Sequence, residues 1–517
     1  MVRRNAKEIA VFISVIAVTV FLHLLSSNIP DPDSFYHIRH AWLYRTTSLT
    51  STAFPWTYFS VIQTFASDIW YGFHLFLLPF SYLDLILGIR IAGVVLTVLL
   101  LLGFYWLGKR HRWELAEFWP FFLLLAVPNT LFNFLAVRPH TLSLFFSLML
   151  LSFAAVGSWQ SVFWASFGIT FFHLGLFWIV PVIVFITCGV QLLEKLIYKD
   201  TKVRWHNILS AFGGMAIGWA LRPRPIAAAK LAYVQIVKLL FEKTGDLPLT
   251  FGKELSPIGG TELISTSALF LIFWTAAFVF TVWVIINYPR RLKEMPSPER
   301  ILFLSSGLIS LLFWGMALFL ARRSMVQWVA FGTVFIAMAY TYILPKDFKK
   351  YGLGFFVVVL MAMFPYAVYR HNLNMKYVAF EPKEFIEVSE WLKENSNPGD
   401  IVFNVHWDNF PSLFLWNQKN YYVGGMDPIF QYEYSPDLYW KFYYLSQDLM
   451  TDKTCGSFPC LRSDLEETYG VLVKDFNAKY IVAEEWRNPK LFRYLEGDPR
   501  FEKAFTGPYE SVFGIKR

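Results

Sequence analysis

Residues able to do chemistry gather in four short stretches of this 517-residue chain. The first reads Asp31-Pro-Asp33-Ser-Phe-Tyr36-His37-Ile-Arg39-His40. Two carboxylates two positions apart, stiffened by proline, can bind a divalent cation or act as an acid/base pair. Hard cations such as Mg²⁺ or Mn²⁺ prefer oxygen ligands and share them readily with phosphate. The plainer reading is helix capping, since Asp before a helix satisfies free backbone N–H groups. In the second stretch, Thr250-Phe-Gly-Lys253-Glu254-Leu-Ser-Pro257, a lone carboxylate sits in a mostly apolar segment. Glu254 either reaches back over a membrane-level site or is an ordinary solvated charge. The third is Ala321-Arg322-Arg323-Ser-Met-Val-Gln-Trp328. Arginine pairs bidentately with phosphate and keeps its charge in apolar surroundings, but it also snorkels into lipid headgroups. Arg222 and Arg224, in Arg-Pro-Arg-Pro, pose the same choice. The fourth, Arg138-Pro-His140, offers a histidine for metal or proton transfer, or one merely hydrogen-bonded at a helix start. His74, in Trp70-Tyr-Gly-Phe-His74, has the same two readings. No Walker loop, dinucleotide fingerprint or His-Glu-x-x-His is present, so nucleotide hydrolysis and zinc proteolysis find no support.

The elements that must position these residues are membrane helices. Hydrophobic residues make up 56% of the chain and charged residues only 16%, against about 25% charged in soluble domains. Apolar runs of roughly 20 residues, the length that spans a bilayer as a helix, recur from Ile9 to about Tyr369 and then stop. Residues 1–371 carry 30 Lys and Arg against 16 Asp and Glu, whereas 372–517 carry 16 against 22. The net positive charge therefore belongs to the membrane part, where it orients helices rather than binding nucleic acid. Arg3, Arg4 and Lys7 place the N-terminus in the cytoplasm, ahead of a retained first helix rather than a cleaved signal. Basic clusters at Lys109–Arg112, Lys195–Arg204, Arg290–Lys293 and Lys346–Lys350 then fall on the same side. The pattern predicts about eleven spans, at 9–28, 87–108, 115–133, 139–157, two within 160–197, 206–221, 265–287, 300–320, 325–344 and 352–370. Two long outer loops follow, 29–86 and 222–263, and the tail emerges outside. In the tail, strands at 400–404, 421–424 and 479–483 alternate with helices near 382–395, 408–416, 463–476 and 488–496, which predicts a small α/β domain. Cys455 and Cys460 lie close together there, and a disulfide between them requires an oxidising compartment.

The four stretches together resemble the GT-C superfamily of integral-membrane glycosyltransferases, nearest in style to the single-subunit oligosaccharyltransferase catalytic subunit. The first loop is similar to that family's opening acidic motif, Ala321–Trp328 to its outer arginine segment, and Glu254 to the Glu of its large fifth outer loop. Pro398-Gly-Asp400-Ile-Val-Phe-Asn-Val-His406-Trp407-Asp408-Asn409-Phe410 resembles the frame of its Trp-Trp-Asp-Tyr-Gly segment, with only the Trp-Asp pair kept. The second acidic pair is replaced by Arg138-Pro-His140. The resemblance implies a polytopic α-helical GT-C fold, with a catalytic membrane domain over 1–371 and an extracytoplasmic α/β domain over 372–517. It implies transfer of a sugar from a polyprenyl-phosphate carrier to a protein, glycan or lipid acceptor on the non-cytoplasmic face. Asp33, Asp31 and Glu254 are then the expected catalytic carboxylates, and Arg322, Arg323 and Arg222 the phosphate-binding cations. Asp31, Asp33 and His140 are the expected ligands of Mn²⁺ or Mg²⁺, and Trp407, Asp408, Tyr36 and His37 the acceptor-binding residues. The rival classes are a transporter or flippase, disfavoured because the charges gather on one face and no repeated halves are seen, and a non-catalytic assembly factor.

Overall fold

The computed structural model describes residues 2–199, 202–244, 249–250 and 252–517. Eight helices among them are long and apolar enough to cross a bilayer: Ala6–Leu24, Leu85–Arg110, Pro139–Val156, Leu174–Tyr198, Gly260–Asn287, Ser297–Phe319, Arg322–Ile343 and Gly352–Tyr377. A helix is the favoured answer in hydrocarbon because it satisfies every backbone group within itself. These spans make the chain an integral membrane protein. Their burial sorts them. The Arg322–Ile343 segment is 89% buried, whereas Gly260–Asn287 and Gly352–Tyr377 are each 22% buried. The first is a central post and the other two form a lipid-facing rim. The post begins with the two arginines, so the fold places Arg322 and Arg323 at one mouth of the bundle.

Three of the predicted spans take shorter forms. The segment 115–133 is broken into Trp119–Leu125 and Pro128–Leu135, because Pro128 lacks an N–H and its ring crowds the preceding turn. Trp159–Phe172 has 14 residues, a rise of about 21 Å, short of the bilayer core. Its neighbour His206–Ala220 packs against it through small residues. A Cβ on Gly214 would lie 2.2 Å from the Phe163 carbonyl oxygen, and one on Gly218 2.8 Å from that of Phe167. Backbone contact of this kind is how membrane helices gain van der Waals energy where lipid removes the hydrophobic drive. Of the second predicted loop, residues 245–248 and Phe251 lie outside the described residues.

The tail is a mixed six-stranded sheet in the order β1-β3-β2-β6-β8-β7, beside a small β4–β5 ribbon. Its strands are β1 Thr57–Tyr58, β2 Ile401–Asn404, β3 Tyr421–Val423, β4 Lys453–Cys455, β5 Leu465–Glu467, β6 Ala478–Ala483, β7 Phe501–Thr506 and β8 Ser511–Ile515. The predicted strands match β2, β3 and β6. The β7–β8 hairpin was not predicted, and β1 belongs to the first loop rather than to the tail. It pairs in parallel with β3, Thr57 opposite Tyr422. The Trp56 indole N–H donates to the Gln418 carbonyl at 2.8 Å, and Arg39 Nε donates to that of Leu415 at 2.8 Å. The first loop and the tail thus share one sheet, which fixes the tail over the loop that carries Asp31 and Asp33. Cys455 and Cys460 form a disulfide.

Candidate functional site

Asp33 opens the helix Asp33–Thr46, and Asp31 stands just before it between two prolines. Oδ1 of Asp31 accepts the Asp33 backbone N–H at 2.9 Å, so the capping reading is correct for that oxygen. Arg138 precedes the span Pro139–Val156 in an extended conformation, φ −130° and ψ 150°, which throws its side chain ahead of the helix. Glu254 lies on a short 3₁₀ turn, Lys253–Leu255. That turn is stitched to the arginine segment: the Arg322 N–H donates to the Ser256 carbonyl at 2.8 Å and the Ile258 N–H to that of Ala317 at 2.9 Å.

The three predicted carboxylates converge on one guanidinium. Arg138 Nε meets Asp31 Oδ2, Nη2 meets Asp33 Oδ2 at 2.9 Å, and Nη1 donates to Glu254 Oε2 at 2.7 Å. Asp31 is buried, whereas the Asp33 side chain keeps 32% of its surface open. Beside this centre lies a cavity of about 100 Å³, lined by Asn129, Asn133, His140, Arg323 and Gln327 among others. Arg322 is held by Glu262 at 2.6 Å, while Arg323 has no carboxylate partner within ion-pair distance among the described residues. Arg323 therefore faces the cavity as its available cation, at the N-terminal end of the central post where the helix field also favours an anion.

Charge at the centre is unevenly distributed. Arg138 and Arg323 hold Glu254 down at about 2 against its burial. Burial pushes Asp31 up to about 7, Arg138 opposing it and the charges of Asp33 and Glu254 adding to it. Asp33 is raised as well, by burial first. A raised carboxyl takes up a proton on folding, so its ionised form is reached only as pH climbs through the raised value. If Asp33 must be ionised to act, turnover rises with pH on a limb above the ordinary 3.8. A pH–rate profile checks this, and a limb at or below 3.8 would contradict it.

A divalent cation does not fit the predicted ligand set. One oxygen of each carboxylate is already on Arg138, the other Asp31 oxygen is on a backbone N–H, and His140 Nε2 is on the Asn133 carbonyl at 3.2 Å. Charge compensation comes from the guanidinium, so no step below is routed through Mn²⁺ or Mg²⁺.

Other predicted residues lie elsewhere. Arg222 is 2% exposed and spends its guanidinium on the carbonyls of Asp68, Ile69, Thr170, Phe171 and Gly218, at 2.6 to 3.4 Å. It ties three segments together and is not free for phosphate. Arg222→Met should therefore lower stability by about 3 kcal/mol, the order expected for orphaned buried carbonyls, and leave donor affinity unchanged. Thermal unfolding beside donor titration checks this; weaker donor binding at full stability would contradict it. Tyr36 and His37 are each 2% exposed, locked by bonds to His40 and His74, and cannot face an acceptor. Asp408 turns onto Arg487, at 3.1 Å, inside the tail, and Trp407 packs on the sheet core. In the tail, burial pushes Asp427 up to about 7, the charge of Arg323 opposing this and those of Glu254 and Asp33 adding to it. It follows Gly424, Gly425 and Met426, all at positive φ. The Gly-Gly-x-Asp-Pro turn after β3 was the one sequence signal for it.

The architecture matches the fold of solved GT-C glycosyltransferases. Among solved structures, it is similar to the archaeal oligosaccharyltransferase AglB of Archaeoglobus fulgidus in complex with an inhibitory peptide and a dolichol-phosphate. That match has a TM-score of 0.58 at 12% identity over 98% of this chain and 74% of the other. ArnT of Cupriavidus metallidurans bound to undecaprenyl phosphate gives 0.51 at 13% identity, over 98% and 97%. The mycobacterial arabinofuranosyltransferase AftD gives 0.56 at 13%, over 98% and 40%. No protein-family model and no curated protein sequence matches the chain.

Proposed function

We propose that the chain transfers a sugar from a polyprenyl-phosphate carrier to an acceptor on the non-cytoplasmic face, with Asp33 as general base. One observation carries the reading: the arginine that holds the partly open Asp33 also lines, with Glu254, a cavity whose available cation is Arg323. The donor phosphate docks on Arg323, aided by Arg322. An acceptor hydroxyl or amide gives its proton to Asp33 as its heteroatom bonds to the anomeric carbon. The carbon–oxygen bond to phosphate breaks, and that electron pair leaves on the phosphate. Arg138 fixes Asp33 in its rotamer, and Arg323 stabilises the growing phosphate charge where water is scarce. Similar proteins have been solved with dolichol-phosphate and with undecaprenyl phosphate, which supports a polyprenyl phosphate as the ligand of this cavity.

The test is binding of polyprenyl phosphate to purified protein, with Arg323→Ala beside it. One charge-assisted bond to phosphate is worth roughly 1.5–3 kcal/mol, so affinity should fall by about 10–150-fold. Equal binding by the variant would move the phosphate elsewhere.

A further inference from the structure

A second buried constellation lies in the first loop, apart from the carboxylate–arginine centre. His40 comes from the helix Asp33–Thr46, and Asp68 and His74 from the returning segment around the helix Tyr71–Leu77. All three are buried, at 7%, 7% and 0% exposure. One ligand atom from each lies within 4.8 Å of the other two. Asp68 Oδ2 is 2.6 Å from His74 Nδ1 and 3.9 Å from His40 Nε2. The longer gap is beyond hydrogen-bond reach, yet an ion bonded at about 2.0–2.1 Å to each side can span it.

The outward-facing atoms are equally specific. His40 Nδ1 meets the Tyr36 hydroxyl at 3.0 Å, and His74 Nε2 meets His37 Nδ1 at 2.8 Å. Asp68 Oδ1 accepts the Trp70 backbone N–H at 2.8 Å, and Tyr44 donates to Oδ2 at 2.8 Å. Each imidazole thus has its second nitrogen fixed by a partner, leaving the first turned toward Asp68. Outer hydrogen bonds of this kind set the tautomer and aim of histidine ligands. Two imidazoles and a carboxylate suit zinc and its neighbours better than Mg²⁺.

We propose that His40, Asp68 and His74 hold a zinc-class divalent ion that clamps the helix beginning at Asp33 to the returning segment of the first loop. The ion is a strut behind the transfer centre, with no part in the chemistry.

The test uses full-length protein purified through a tag without histidine, exposed to Zn²⁺ and washed, then read by elemental analysis and X-ray absorption. Stoichiometric zinc in a nitrogen and oxygen shell is expected, with Co²⁺ giving tetrahedral visible bands in its place. Tyr36→Phe should weaken retention by about 10–100-fold, His40→Ala/His74→Ala should abolish it, and Asp33→Asn should keep it. Wild-type protein that retains neither metal would overturn the proposal and leave a plain hydrogen-bonded network. Equal retention by the double variant would overturn it too. Because wild-type loading and the cobalt spectrum need no variant, a misfolded double variant does not remove the test.

Discussion

Replacement of Asp33 by asparagine is expected to cut sugar transfer by about 10²–10⁴-fold, the contribution of a positioned general base, while the protein stays folded. The two halves of that expectation have separate grounds. Asparagine keeps the shape and one acceptor oxygen for Arg138 but cannot take a proton at pH 7. Folding is spared because Asp33 is partly exposed at the start of its helix, and Arg138 keeps Asp31 and Glu254 as partners. Transfer kinetics beside thermal unfolding would read both halves. Near-normal transfer would remove Asp33 from the mechanism, and a collapse of stability would make it structural.

Arg138→Ala should have the larger effect on the protein as a whole. It leaves the buried Asp31 and the partly exposed Asp33 and Glu254 gathered with no opposing charge within ion-pair distance. Removing one partner from a buried pair typically costs about 3–5 kcal/mol; that applies to Asp31, while solvent screening keeps the shares of Asp33 and Glu254 nearer those of exposed pairs. Both stability and transfer should fall, with stability partly recovered at lower pH as Asp31 and Asp33 take up protons. Arg138→Lys should recover little, because a point charge cannot serve three carboxylates along a planar fork. Unfolding measured across pH checks the first claim. An Arg138→Ala protein as stable as wild type at neutral pH would mean that the three contacts are not compensating charge.

The sequence reading succeeded where hydrophobicity and local spacing carry the information. Long apolar runs gave the spans, and Asp31, Asp33 and Glu254, each marked by local spacing, meet on one guanidinium. What failed needed long-range contacts. Nothing local distinguishes Arg222, which binds five carbonyls, from Arg323, which binds none of the charged groups around it directly. Arg138 was noticed as a gap in a metal-binding pattern, and only its meeting with residues 107, 105 and 116 positions away shows it as the hub. Strand β1 is two residues long and gains its identity solely from β3. Tyr36 and His37 share a helix with Asp33, but the helical turn sends them into the buried aromatic cluster.

The central claim is that this membrane centre moves sugar between molecules. Its most direct test is wild-type protein in proteoliposomes with a polyprenyl-phosphate donor pool labelled in the sugar, offered protein, glycan and lipid acceptors. Label on an acceptor is expected, with carrier phosphate released in equal amount. Label that stays on its carrier, whether motionless or moved across the bilayer, would contradict it.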